Sequence, residues 1–302
     1  MIAIAILGPG GVGGFVAGAL ARAGEDVVVV AREETAATIA EHGITIQSVR
    51  LGDFMAHPHA TATLQTAADV LLIATKAIGL DQALDRIEAQ PQLVVPLLNG
   101  LDHMQALRAR FRPERVGAGT IRIESSRNAP GRIVHTSPSL RIDLASDVPG
   151  LRRDLQRLGA RLEHAGIPIE IGASEAQILW SKLVRLCALA CTTTVADRPI
   201  GFVRSDPRWR EVLVACIFEA TAVANREGAR IDAADRLGEL DAAHPELGSS
   251  MQRDIAAGRE PELDAIAGSV LRAAARNGLE CRTIARLAVE IAQRAGLPAP
   301  KA

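Results

Sequence analysis

The stretch from residue 3 to residue 30 restricts this chain most. An apolar run over 3–7 ends directly in Gly8-Pro9-Gly10-Gly11-Val12-Gly13-Gly14. A helical pattern follows from about 15 to 23, Gly24 closes it, and 27–30 is a second run that is apolar and β-branched throughout. Strand, glycine turn, helix and strand in that order make the βαβ unit of a parallel sheet. Gly8, Gly10 and Gly13 fit the dinucleotide fingerprint. The first allows a tight turn, the second lets backbone approach a pyrophosphate, and the third lets helix and strand pack closely. Glycines at this spacing are weak evidence alone; their position between a strand and a helix N-terminus, which presents free N–H groups to an anion, supplies the context.

The fold class expected is therefore α/β, with an N-terminal Rossmann-type parallel sheet. The backbone of Gly8, Pro9, Gly10, Gly11, Val12 and Gly13 would hold the cofactor. The residue after the second strand selects the nucleotide: an acid there binds the ribose 2′-OH of NAD. Here it is Arg32, with Glu33 and Glu34 only afterwards. A guanidinium suits a 2′-phosphate, so NADP(H) is expected; the plainer reading is an exposed loop arginine. Lys76 follows a buried-strand run over 70–74, at the carboxyl edge where ligands bind, and can add charge beside the adenine-ribose phosphate. A solvated lysine at a strand end is its plainer reading. Asn99-Gly100 ends another such run, 93–98, with a helical segment over about 80–89 between the two. Asn-Gly is a common turn pair, but an amide at this edge can face both nicotinamide and a substrate carbonyl.

Shorter strands are expected over 116–120, 131–135 and 140–144, then an amphipathic helix over 151–165 and a last strand over 167–171. Beyond residue 173 apolar residues recur at helical spacing over 178–195, 209–227, 233–240, 263–277 and 283–295. The 302 residues exceed one usual core. The expected domains are 1–172, binding NADP, and 173–302, all-helical and carrying substrate and catalytic groups.

The formal net charge is -1 with no block of like charges, which gives no reason to expect nucleic acid or a membrane surface as partner. No stretch approaches the roughly 20 unbroken apolar residues of a membrane span. The apolar start carries no basic leader and reads as a buried strand rather than a signal peptide. Cys187, Cys191, Cys216 and Cys281 lie in apolar helical segments and are expected as buried free thiols in a reducing cytoplasm, with no metal site.

There is no tyrosine, so no phenol can protonate a substrate. Of 34 basic residues only Lys76, Lys182 and Lys301 are lysines, and Lys301, in the tail, is incidental. Hydride transfer to a ketone needs a proton donor for the forming alkoxide, which leaves a lysine or a histidine. His42, His57, His59, His103, His135, His164 and His244 mostly lie in polar or loop-like stretches, outside any catalytic motif. Lys182 lies in a strongly apolar helix near the start of the second domain. It can snorkel; if it lines an interdomain cleft instead, desolvation moves its pKa towards a useful range.

The glycine loop, Lys76, Leu98-Asn99-Gly100, Trp180-x-Lys182 and the segment from Ser249 to Asp264 (SSMQRDIAAGREPELD) together resemble the ketopantoate reductase (2-dehydropantoate 2-reductase) family, over nearly the whole chain. Ser-Ser-Met-x-x-Asp followed by Glu-x-Asp is the most specific part. The resemblance implies that Lys182 is the general acid, that Glu262 holds and tunes it, and that Asn99 orients substrate beside the nicotinamide. It also implies that Ser250 binds the substrate carboxylate. Without the resemblance, Glu262 reads as a surface acid and Ser250 as a helix cap. The chain departs from the family pattern at Leu186 and Ala190, where members carry asparagines one and two turns after the lysine, and at Gly79, where they tend to have glutamine. An apolar wall in place of two amides suits a less polar keto substrate.

The readings are thus an NADPH-dependent reductase of a 2-oxo acid, most directly 2-dehydropantoate; a related reductase of a different ketone; a phosphogluconate- or glycerol-phosphate-type dehydrogenase, for which no anion pocket is evident; and an NADP sensor without catalysis. A homodimer is expected by fold-level analogy.

Overall fold

A computed structural model of the chain describes residues 2–300; Lys301 lies outside them. The chain forms two compact units, one of residues up to Leu98 with His103–Ile178, the other of Asn99–Asp102 with the residues from Leu179 onward.

The first unit is α/β and Rossmann-type. Strands β1 (Ile2–Leu7), β2 (Val27–Val30), β5 (His59–Thr61), β6 (Ala68–Ile73) and β7 (Leu93–Pro96) form a parallel sheet in the order β5-β2-β1-β6-β7. All four β2 valines are buried, as expected where helices and further strands cover both faces. Helix α1 (Gly11–Arg22) is buried from Gly13 to Leu20, because a second sheet packs against it. That sheet, in the order β4-β3-β10-β9, comprises β3 (Ile44–Ser48), β4 (Phe54–Ala56), β9 (Ser125–Ala129) and β10 (Arg132–His135). A Cβ at Gly14 would lie 2.6 Å from Ile133 Cδ1, and one at Gly18 2.4 Å from Ile46 Cδ1, so these helical glycines let the second sheet approach. A third sheet joins β8 (Ala118–Arg122), β11 (Arg141–Ala145) and β12 (Ile169–Ile171), with α5 (Leu151–His164) packed on β11 and β12. Helices α2 (Glu33–His42), α3 (Leu80–Leu84) and α4 (His103–Arg110) complete the unit.

Some expectations change in detail. Helix α1 begins at Gly11, four residues before its apolar pattern, because the glycine loop itself starts the helix. The helix expected over 80–89 is only the five-residue α3. Leu64 N–H donates to Arg86 O at 2.8 Å and Leu64 bridges Ile87, which draws that segment into sheet-like pairing.

The second unit is helical from Leu179 on, with α6 (Glu175–Ala196), α7 (Ile200–Ser205), α8 (Pro207–Arg226), α9 (Ala233–Asp241), α10 (Ser250–Ala256), α11 (Ser269–Arg276) and α12 (Arg282–Ala295). Asp206 caps α8 by accepting from Trp209 N–H at 3.0 Å, and Pro207 fills its first position. Helix α6 has the length and apolarity of a membrane span, but 72% of its apolar window is buried inside the fold, as in a core helix. The single helix expected over 263–277 is divided: Asp264–Gly268 is a π-helical segment that runs into α11.

Candidate active site

The glycine loop is shaped for an anion. Gly8 has φ +89°, a Cβ there would meet Thr75 Cγ2 at 2.7 Å, and a Cβ at Gly13 would meet Gly8 O at 2.2 Å. Around Gly10 a Cβ would find nothing within 4 Å, so the backbone there is open to an approaching group. Gly10 is the N-cap of α1 and provides no side-chain cap, which leaves first-turn N–H groups to whatever binds. The loop therefore fits the pyrophosphate of a dinucleotide. Arg32, exposed, follows β2 at the N-cap position of α2, without a side-chain capping bond; Lys76, exposed, follows β6. Because β2 and β6 flank β1, the glycine loop, Arg32 and Lys76 all lie at the carboxyl edge of three adjacent strands.

Asn99 follows β7 in the chain, yet Asn99–Asp102 clusters with the helices. Asn99 Nδ2 donates to Glu262 Oε2 at 2.9 Å. Gly100 has φ +84°, and a Cβ there would be 2.2 Å from Ala265 O, in the π-helical segment. Leu101 N–H donates to Ser269 Oγ at 3.4 Å, and Ser269 Oγ donates to Asp102 Oδ2 at 2.8 Å. Arg272 joins Asp102 and Asp264, each at 2.7 Å. Partial burial works against the charge on Asp102, but hydrogen bonds from Arg272 and Ser269 hold its carboxyl below the usual range. Sequence reasoning missed Asp102, Ser269 and Arg272. Their one local signal is the eight-residue spacing of Asp264 and Arg272, about two helical turns.

Lys182 is half-buried on α6, beside buried Trp180, Leu183 and Val184. Leu186 (half-buried) and Ala190 (0% exposed) follow on the same face of the helix. Arg185, on another face, pairs with Glu239 at 3.5 Å. Ser250 is exposed at the start of α10. The helix cap is its neighbour Ser249, which corrects the cap reading of Ser250: Ser249 Oγ is buried, accepts from Gln252 N–H at 3.1 Å, and lies 3.2 Å from Thr193 Oγ1. Glu262 is half-buried and hydrogen-bonded to Asn99, so it is more than a surface acid.

All four cysteines are buried free thiols. Cys187 Sγ lies 4.0 Å from Cys191 Sγ, and this contact together with burial pushes the Cys187 thiol well up. No cluster of three or more metal-ligating side chains occurs among the described residues. Five histidines are exposed, while His103 and His135 are buried, His135 with Nδ1 2.9 Å from Ser48 Oγ and its ring edge against Phe15.

The family model described as Ketopantoate reductase PanE/ApbA matches residues 4–146, and that for its C terminal part matches 176–295. The uncharacterized oxidoreductase YkpB of Bacillus subtilis is 31% identical over 286 residues, 91% of this chain and 92% of that one. The structure of 2-dehydropantoate 2-reductase from Geobacter metallireducens matches with a TM-score of 0.88 at 26% identity, covering 96% of this chain and 99% of that one. A D-mandelate dehydrogenase solved with NADH and anilino(oxo)acetate shares the fold at TM-score 0.87 and 18% identity, covering 97% and 98%. This chain belongs to the ketopantoate reductase family, oxidoreductases that move hydride between a nicotinamide cofactor and a C=O/CH–OH pair.

Proposed function

We propose that the protein is an NADPH-dependent reductase of a 2-oxo acid, with Lys182 as general acid. The observation that supports this best is the 2.9 Å hydrogen bond from Asn99 to Glu262, in the same compact unit as Lys182. The bound nicotinamide supplies hydride to the carbonyl carbon. Lys182 Nζ gives a proton to the carbonyl oxygen as it gains charge. Glu262 holds Lys182 for that transfer. It also fixes the Asn99 amide through one Nδ2 hydrogen, leaving the other hydrogen and Oδ1 for substrate and nicotinamide. Ser250 binds the substrate carboxylate. Gly8, Pro9, Gly10, Gly11, Val12 and Gly13 hold the pyrophosphate, Arg32 takes the 2′-phosphate, and Lys76 adds charge beside it.

The first substrate candidate is 2-dehydropantoate, reduced to pantoate, which would give the enzyme a step in pantothenate biosynthesis. The second is a bulkier, less polar 2-oxo acid, favoured by Leu186 and by the fully buried Ala190 in place of two amides. The retained lysine and the Asn99–Glu262 pair argue against a pure NADP sensor. A cytoplasmic setting accords with four buried free thiols. A homodimer accords with exposed Phe202, Phe218 and Val289 on the helical unit.

The test is NADPH oxidation over 2-oxo acids ranging from hydroxylated to bulky apolar side chains, alongside NADPH and NADH titrations. Turnover chiefly on the hydroxylated acid supports 2-dehydropantoate; turnover chiefly on the bulky ones supports the second candidate. NADPH binding without turnover on any of them rejects the reductase and leaves the sensor.

A further inference from the structure

Glu33 sits next to Arg32, where an acid could accept from a ribose 2′-OH or repel a 2′-phosphate. It is not left to do either. Arg86 NH1 donates to Glu33 Oε1 at 3.1 Å and to Ala62 O at 3.2 Å. Arg86 is itself anchored, since its carbonyl accepts from Leu64 N–H at 2.8 Å in the chain leaving β5. The strand pair beside it is closed by Ala31 N–H donating to Thr61 O at 3.1 Å. The Arg86 side chain is 24% exposed and that of Glu33 77%. An ion pair this wet adds little to stability, so its importance lies in where it holds the carboxylate. Glu33's own backbone N–H, and then Arg86, keep that carboxyl below the usual range, so it is anionic at neutral pH.

We infer that Arg86 is a positioning residue for nucleotide choice: it holds and neutralises the Glu33 carboxylate, so that Arg32 meets the 2′-phosphate unopposed. This rests on the reading of Arg32 given above. Arg86 would act through Glu33 and not on the nucleotide itself. Released from Arg86, Glu33 would repel a 2′-phosphate and accept from a 2′-hydroxyl, and both effects move preference towards NADH.

The experiment measures Kd for NADPH and for NADH, by calorimetric titration, on the wild type, Arg86→Met, Glu33→Gln and the double variant. Arg86→Met is expected to lower the NADPH/NADH affinity ratio about 10-fold, and Glu33→Gln in that background to restore it to within about 3-fold of wild type. An unchanged ratio in Arg86→Met overturns the inference. So does a double variant that stays low, because Arg86 would then act on the phosphate directly. A wild type without NADPH preference overturns the Arg32 reading and this inference together. A wild type that prefers NADPH beside an unaffected Arg86→Met overturns this inference alone. Melting temperatures within about 2 °C of each other confirm that the variants are comparable.

Discussion

Asn99 Nδ2 donates to Glu262 Oε2 at 2.9 Å across 163 residues of sequence. Gly100 presses its backbone on Ala265 in the π-helical segment, and Asp102 takes hydrogen bonds from Ser269 and Arg272. Residues 99–102, part of the helical unit, are thereby held against its segment 262–272. A π segment adds a residue to a helical turn and often marks a functional site. Here it places the carbonyl of Ala265 where only glycine can approach it.

Replacing Glu262 by Gln keeps an acceptor for Asn99 but removes the charge. Turnover should fall by roughly 10- to 100-fold while NADPH affinity stays within about 3-fold, read by steady-state kinetics and titration. Turnover equal to wild type would strip Glu262 of its role.

Lys182→Ala should lower turnover by roughly 100-fold or more, as loss of a general acid commonly does, and leave NADPH affinity within a few-fold. If kcat on the best 2-oxo acid persists, the proton comes from elsewhere.

Arg32→Asp should move preference from NADPH towards NADH, by placing at the end of β2 the acid that pairs with a ribose diol. Calorimetry with both nucleotides checks this, and a variant that still strongly favours NADPH counts against the role of Arg32.

Gly100→Ala should destabilise the protein by about 2 kcal/mol or more, since φ is +84° and the new Cβ would meet Ala265 O at 2.2 Å. The melting temperature should drop by several degrees, and turnover measured below it should fall as Asn99 moves. An unaltered melting curve would show that the turn is free to rearrange.

His135 gives a pH signature. Burial, above all, pushes its imidazole below the ordinary value of 6.5. The unfolded chain therefore takes up a proton near that pH while the folded one stays neutral. The contribution to stability is intact above pH 6.5 and is lost as pH falls towards the lower folded value, by up to about 1.4 kcal/mol per pH unit. Denaturant unfolding at pH 7.5 and 5.5 should show a smaller loss in His135→Gln than in wild type; equal losses would put the pH dependence elsewhere.

Much of this molecule is written locally. A strand buried on both faces needs an unbroken apolar run, as in Val27–Val30, and a helix packed on one side needs apolar residues three and four apart, as in α6, α8, α9 and α12. The positions of the glycine loop, Arg32 and Lys76 at the carboxyl edge of the sheet are legible for the same reason, because each is set by the strand it follows. Of the second sheet only β10 is legible as a strand; β4 and β9, short and partly exposed, left no such pattern, and α3 stopped early because Arg86 and Ile87 found backbone partners around Leu64. Which of two adjacent serines caps α10 was settled by Thr193, some 56 residues earlier in the chain. Only packing brought Asn99 to Glu262 and Asp102 to Ser269 and Arg272. Periodicity records contacts within a few residues of chain, whereas a hydrogen bond spanning 163 residues exists only once the helices have assembled around it.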